Sequence, residues 1–318
     1  MTINEIHLEL GKQREDISRI IELAEKAADE KNLEGLRLIA TNYPLIVANI
    51  LNKIEISDQI LDQLSGEDLI QLYSRTKKSL DFKIRKQMLD KLIPFITEKA
   101  KIIYKRGISS AISRYVDYEP GDSWEVEMTL EKMLSMGKLT PDYESIVVKE
   151  PSKVKKSIVI CIDKSLSVLQ LIHQIVLVAA VLSLSVKKEN FAIIDFDSEA
   201  HILKSMIDVL HPESIVELIL NIESGGKTNL EEALALANKQ LAQSTSRKKI
   251  IYLISDLERT TGKNPIPVIN RITDLRIVYV RTYRRVSFVD EVLALPNVRM
   301  DELNQNTDLV ELTSSLIS

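Results

Sequence analysis

The chain has 318 residues, 45% of them hydrophobic and 28% charged, with a formal net charge of −4. That length is enough for one or two buried cores, and the usual domain size favours two. The small negative charge excludes no class of partner, but the single cysteine, Cys161, rules out an internal disulfide framework and points to a reducing, cytoplasmic compartment. The opening residues, Met1 to His7, carry neither a basic start nor an apolar signal core, so export by that route is not expected. Abundant Lys, Glu and Ile with only nine Gly hints at a thermophile.

In chain order, residues 1–116 read as an α-helical domain. Apolar residues recur at spacings of three and four in Ile17, Ile20, Ile21, Leu23 and Ala24, through Leu33 to Ile54, at Leu69 to Leu72, and through Ile84 to Ile112. Pro44 and Pro94 are expected to kink or divide helices, and Gly66 to lie at a helix junction. Between Arg75 and Arg114 stand twelve Lys or Arg against three Asp or Glu. This basic stretch reads as a solvated or docked helical face; nucleic-acid binding is the sharper alternative, weakened by the scarcity of aromatics that could stack bases.

Residues 117–155 read as a connector, rich in turn residues around one short helix, Met128 to Met136. From Lys156 to residue 318, apolar strand-like runs alternate with helical patterns, which predicts a mostly parallel, doubly wound α/β sheet of six strands. The expected strands are Ser157–Ile162, Asn190–Phe196, His201–Lys204, Lys249–Ser255, Leu275–Arg281 and Asn297–Met300. The stretch Val168 to Val186 has no Asp, Glu, Lys or Arg, so a helix there must be covered around its circumference, by the helical domain or by another subunit. Its uninterrupted apolar part is too short to span a bilayer.

The chemistry-bearing signal lies at the end of the first of these strands. Asp163, Ser165 and Ser167 place three oxygen side chains at alternate positions, a set suited to a small hard cation such as Mg²⁺, which takes oxygen ligands at about 2.1 Å and keeps some of its waters. Downstream, Thr228 sits in a glycine turn that opens a helix, and Asp256 follows a second apolar strand. In such folds ligands gather beyond the carboxyl ends of the strands, where strand order reverses.

Asp163, Ser165, Ser167, Thr228 and Asp256 together resemble the metal-ion-dependent adhesion site of von Willebrand factor A domains. The resemblance implies that Ser165, Ser167 and Thr228 touch Mg²⁺ or Mn²⁺ directly or through one water, that Asp163 and Asp256 hold its bound waters, and that the ion receives a partner's Asp or Glu. Leu166 and Val168 stand where the family usually has Gly and Met, and Lys227 separates the glycine pair from Thr228. Lys164 and Lys227 are expected to bring positive charge near the ion. The connector, with Tyr118-Glu119-Pro120-Gly121-Asp122 and then Thr129-Leu130, is similar to CoxE-like proteins, whose genes often accompany MoxR-type AAA+ ATPases; the implied function is an adaptor of such an ATPase, not an enzyme. A Mg²⁺-dependent hydrolase is the alternative, and it lacks a recognisable general base. Gly226-Lys227-Thr228 mimics the end of a phosphate-binding loop, but Asn221 stands where its first glycine is needed. The four histidines show no metal spacing.

Overall fold

The computed structural model describes residues 17–54, 61–107, 112–117, 126–142, 145–152, 156–187, 189–282, 287–304 and 307–317. Helices α1 (Ile17–Asp29), α2 (Leu33–Ala40), α3 (Pro44–Leu51), α4 (Gly66–Thr76) and α5 (Phe82–Gly107) come first. Pro44 divides the expected Leu33–Ile54 helix by opening α3, where its missing N–H costs nothing. Pro94, in contrast, lies inside the unbroken α5. Gly66 starts α4 behind the N-cap Ser65, and a Cβ there would stand 2.4 Å from the Phe95 ring, so α4 and α5 approach more closely than any other residue at that position would allow.

The helical reading overran at one place. Ile112–Asp117 is a strand, β1, paired antiparallel with β2 (Val147–Ser152) in a two-stranded sheet that flanks helix α6 (Val126–Ser135). The expected helix Met128–Met136 corresponds to α6, shifted by one to two residues. The motif Tyr118 to Asp122 lies outside the described residues.

Six strands then form the main sheet: β3 (Lys156–Asp163), β4 (Asn190–Phe196), β5 (Ala200–Lys204), β6 (Lys248–Ser255), β7 (Leu275–Val280) and β8 (Val298–Leu303). Their order is β5-β4-β3-β6-β7-β8, parallel except for the antiparallel edge strand β5. All six expected strands are present. The chain winds outward from β3 in one direction and returns to β6 for the other, so strand order reverses between β3 and β6.

Alternate residues of each strand serve opposite layers. Val159, Cys161, Ile251 and Leu253 pack under α9 (Leu230–Ala242), α10 (Ile266–Ile269) and α11 (Phe288–Leu293). Ile158, Ile160, Ile162, Ile250, Tyr252 and Ile254 face the other side, where α7 (Ile172–Ser185), α8 (Pro212–Leu220) and α12 (Leu309–Ile317) lie, and this second core runs without a break into helices α1 to α5. Helix α7 is the reason. Twelve of its fourteen residues are buried, and it is walled by β3, α8, α12, α4 and α5. Together with the 3₁₀ turns ahead of it, the run Leu166–Ser185 reaches 20 residues, enough by length and composition to cross a membrane, but 67% of that window is buried inside the protein, which is the behaviour of a core helix.

Part of the basic stretch is engaged within the protein, while Lys78, Lys83, Lys86 and Lys101 are exposed. Lys91 pairs with Asp62 and Lys99 with Glu67, at 2.8 and 2.7 Å, while Lys77 is buried.

Two outcomes follow from the packing of α7. A chain beginning at Lys156 will expose the α7 face, bind a hydrophobic dye and associate; a monomeric, dye-silent product would contradict the packing. His173, in α7, has its pKa pushed down to about 4, first by burial and then by Arg75 and Arg37, with Asp68 and Glu67 acting in the opposite sense. The unfolded chain takes up this proton near pH 6.5 and the folded chain only near 4, so His173 costs stability progressively as pH falls from about 6.5 to about 4. His173→Gln will therefore flatten the acid limb of a denaturation profile over that window, and superimposable pH profiles would contradict it.

Candidate functional site

Asp163 is the last residue of β3 and Asp256 follows β6 directly, so two carboxylates emerge side by side where the strand order reverses. Both side chains are fully buried. Asp163 Oδ1 accepts the Ser165 amide at 2.9 Å, and its Oδ2 accepts the Ser255 hydroxyl at 2.5 Å. Burial first, and the neighbouring Asp256 charge second, push Asp163 up to about 7. Asp256 is likewise pushed up by burial. Its Oδ1 accepts the Glu258 amide at 3.0 Å and the Ser167 hydroxyl lies against the carboxylate, while Oδ2 is buried with no hydrogen-bond partner among the described residues.

Ser165 precedes the 3₁₀ segment Leu166–Leu171 and does not cap it with its side chain. Its hydroxyl instead meets that of Ser167 at 3.1 Å. Thr228 is buried just before Asn229, whose side chain caps α9 by accepting the Glu232 amide. The Thr228 amide donates to Thr260 Oγ1 at 2.7 Å, and its carbonyl accepts the Thr260 and Thr261 amides, both at 3.2 Å. The loop leading to Thr228 is zipped to the Asp163 loop: Gly225 N donates to Lys164 O at 2.8 Å and Leu166 N to Gly226 O at 3.3 Å. Asp163, Ser165, Ser167 and Asp256 thus meet directly, and Thr228 arrives on a loop bonded to theirs.

The positive charge expected beside the cluster is placed differently. The Lys164 amine turns to Asp195 Oδ2 at 3.0 Å, and Lys227 is exposed, its amide held by Ser198 Oγ. Among the described residues, neither Asp163 nor Asp256 forms an ion pair with Lys, Arg or His. The same residues contain no group of three or more His, Cys, Asp or Glu placed to hold a metal, so a cation here would rest on two carboxylates and hydroxyls.

Three supporting residues carry no sequence signal. Ser255 bridges Asp163 to the Leu257 amide, 3.0 Å away, and Thr260 fixes Thr228. Leu257 is buried with φ +58°, a left-handed backbone that costs a non-glycine residue about 1–2 kcal/mol, and it turns the chain immediately after Asp256.

Residues 158–259 match the family described as the von Willebrand factor type A domain. This segment is a von Willebrand factor A domain. Solved structures similar to the chain include the three N-terminal domains of the type V pili tip protein Mfa5 from Porphyromonas gingivalis, 19% identical over 36% of this chain and 22% of that one, with a TM-score of 0.33. A von Willebrand factor type A protein from Catenulispora acidiphila is 14% identical over 54% and 43% of the two chains, with a TM-score of 0.40. BatB from Bacteroides thetaiotaomicron is 14% identical over 51% and 97%, with a TM-score of 0.39. The chain spans less than half the length of the first two of these. No curated protein matches it.

The A-domain loop depends on Gly226, which has φ +68° and would place a Cβ 2.9 Å from both Asp197 Cγ and Ser198 Oγ, whereas a Cβ at Gly225 meets nothing within 4 Å. Gly226→Ala will destabilise by about 1–2 kcal/mol or more, and Gly225→Ala will stay within about 1 kcal/mol of wild type. Chemical denaturation measures both; equal effects would contradict the loop geometry.

Proposed function

We propose that this chain is a metal-dependent protein-interaction module, in which Ser165, Ser167 and Thr228, with Asp163 and Asp256, hold Mg²⁺ or Mn²⁺ for a carboxylate of a partner protein. The family of residues 158–259 often serves protein interaction. One observation carries the metal reading: two buried carboxylates converge and, among the described residues, have no cationic partner, nor does Asp256 Oδ2 find a hydrogen bond there. Burying an unpaired carboxylate is expensive, so such a pair either shares a proton or is matched by a cation. The adjacent hydroxyls suit a hard ion, and a site poor in charged ligands leaves that ion strongly attractive to an outside carboxylate. When bound, the metal supplies a point of attachment for that carboxylate. The chain's own residues fix where that point lies: Ser255 and the Ser165 amide orient Asp163, and Thr260 anchors Thr228.

This reading is of a binding module rather than an enzyme, acting in the cytoplasm. The partner we favour is a MoxR-type AAA+ ATPase, on the similarity of the connector sequence to CoxE-like proteins. Nucleic acid is disfavoured because Lys77, Arg85, Lys91 and Lys99 of the basic stretch are engaged within the protein.

Mg²⁺ or Mn²⁺ will raise the melting temperature of the wild-type chain, since a ligand that binds only the folded state stabilises it with the logarithm of its excess over Kd. At a hundredfold excess the gain is about 2.7 kcal/mol, and Ser165→Ala will remove it. A melting curve unchanged from micromolar to tens of millimolar metal would refute the site. Direct binding to a purified MoxR-type ATPase, retained by wild type and lost in Asp256→Ala, tests the partner.

A further inference from the structure

Helix α4 and the residues that follow it reach across to the A domain at one corner, the C-terminal end of α8. That end is left with free carbonyls, as every helix is. The buried Lys77 amine donates to two of the carbonyls there, Leu220 O at 2.6 Å and Ile222 O. Asn221, the C-cap between them, accepts the Tyr73 hydroxyl at 2.8 Å and Arg85 Nη2 at 2.7 Å through its Oδ1. Lys78 adds an exposed pair with Glu223 at 3.2 Å. Arg75 Nη2 reaches Gln170 O, at 3.3 Å, on the 3₁₀ segment that carries Ser167.

These contacts fall at the root of the loop that leads to Thr228 and on the 3₁₀ segment that carries Ser167. The segment held by Tyr73, Lys77 and Arg85 continues within six residues of Ile222 to Thr228, and on the way Gly225 and Gly226 bond to Lys164 and Leu166 of the Asp163 loop. A lysine amine and a tyrosine hydroxyl, both desolvated, are a costly way to join two apolar surfaces that already share one core, and the cost is understandable if the geometry they impose matters.

We infer that Tyr73, Lys77 and Arg85 are positioning residues for the metal cluster, holding the Ile222–Thr228 loop, and through it Ser165 and Ser167, from the helical half of the chain. The inference rests on the metal reading given above. Its consequence is reciprocal: if seating of α4 raises affinity at the cluster by some factor, occupation of the cluster strengthens the seating of α4 by the same factor. The helical half is then a lever on the site, and a protein that pulls on α4 or α5 tunes the A domain's hold on its partner.

The test uses the full-length chain with Tyr73→Phe, which removes one hydroxyl, with Lys77→Met, and with Lys77→Arg as the conservative control. The first readout is amide hydrogen exchange in EDTA, which needs no metal. Residues 164–170 and 222–229 are expected to exchange about tenfold faster in Tyr73→Phe and Lys77→Met, while β3, β6 and α7 keep their wild-type protection. The second readout is the Mn²⁺ dissociation constant, expected to rise about tenfold in the same variants and to recover in Lys77→Arg. Loop exchange indistinguishable from wild type would overturn the inference, as would loosening that spreads evenly through α7 and the strands, since that is what a merely structural contact produces. Loosened loops with unchanged Mn²⁺ affinity would overturn it too. If wild type binds no Mn²⁺, the metal reading fails by that result, and the exchange data alone decide whether the helical half positions the loops.

Discussion

A helix of fourteen residues without a single Asp, Glu, Lys or Arg sets the architecture of this protein. Helix α7 has no side that water can face cheaply, so every direction around it must be supplied with apolar cover. The sheet covers one side through β3, and α8 and α12 cover the flanks, as a doubly wound fold provides. What remains is closed by α4 and α5, and for that reason the N-terminal helices do not stand apart as an appended module; one continuous core joins Leu36 and Met88 to Ile160 and Tyr252. The two halves of the chain are thermodynamically one body, and polar contacts at their boundary can act on the A domain directly.

Against that apolar background the cluster at the reversal of strand order is an electrostatic exception. Asp163 and Asp256 are placed by backbone geometry that leaves them little choice: one ends β3, the other follows β6, and the two strands are hydrogen-bonded neighbours. Among the described residues no Lys, Arg or His pairs with either. The nearest lysine in sequence, Lys164, serves Asp195, and the hydrogen bonds from Ser165, Ser255 and Glu258 leave Asp256 Oδ2 unmet. A strained Leu257 and a left-handed Gly226 hold the flanking turns in place. Strain and a pair of buried carboxylates at one point would be the cost of a binding site, and stability elsewhere must offset them.

Much of this was legible in the sequence because the signals were local. The inner strands of the main sheet announced themselves as apolar runs between turn residues, and Asp163, Ser165 and Ser167 stood in one short motif at the end of such a run. The need for α7 to be covered could be read from its composition alone. The strands β1 and β2 could not, since Lys149-Glu150-Pro151-Ser152 has the composition of a turn and becomes a strand only by pairing with Ile112–Tyr115. Ser255 and Thr260 were missed for a different reason: a hydroxyl at a strand end or in a loop is ordinary, and its role depends on which residue the fold brings opposite. Lys77 was hidden most completely. It lies in a basic run that reads as a solvated face, yet it is buried and caps a helix more than a hundred residues away, a pairing that no local pattern encodes.

The account's central claim is that the buried carboxylates and hydroxyls at the β3–β6 switch form a cation site. A crystal grown with Mn²⁺ and measured at a wavelength where manganese scatters anomalously tests it most directly. The account predicts one strong anomalous peak bounded by Ser165, Ser167 and Thr228, with Asp163 and Asp256 behind it. A map with no peak there, or with manganese only on exposed carboxylates, would contradict it.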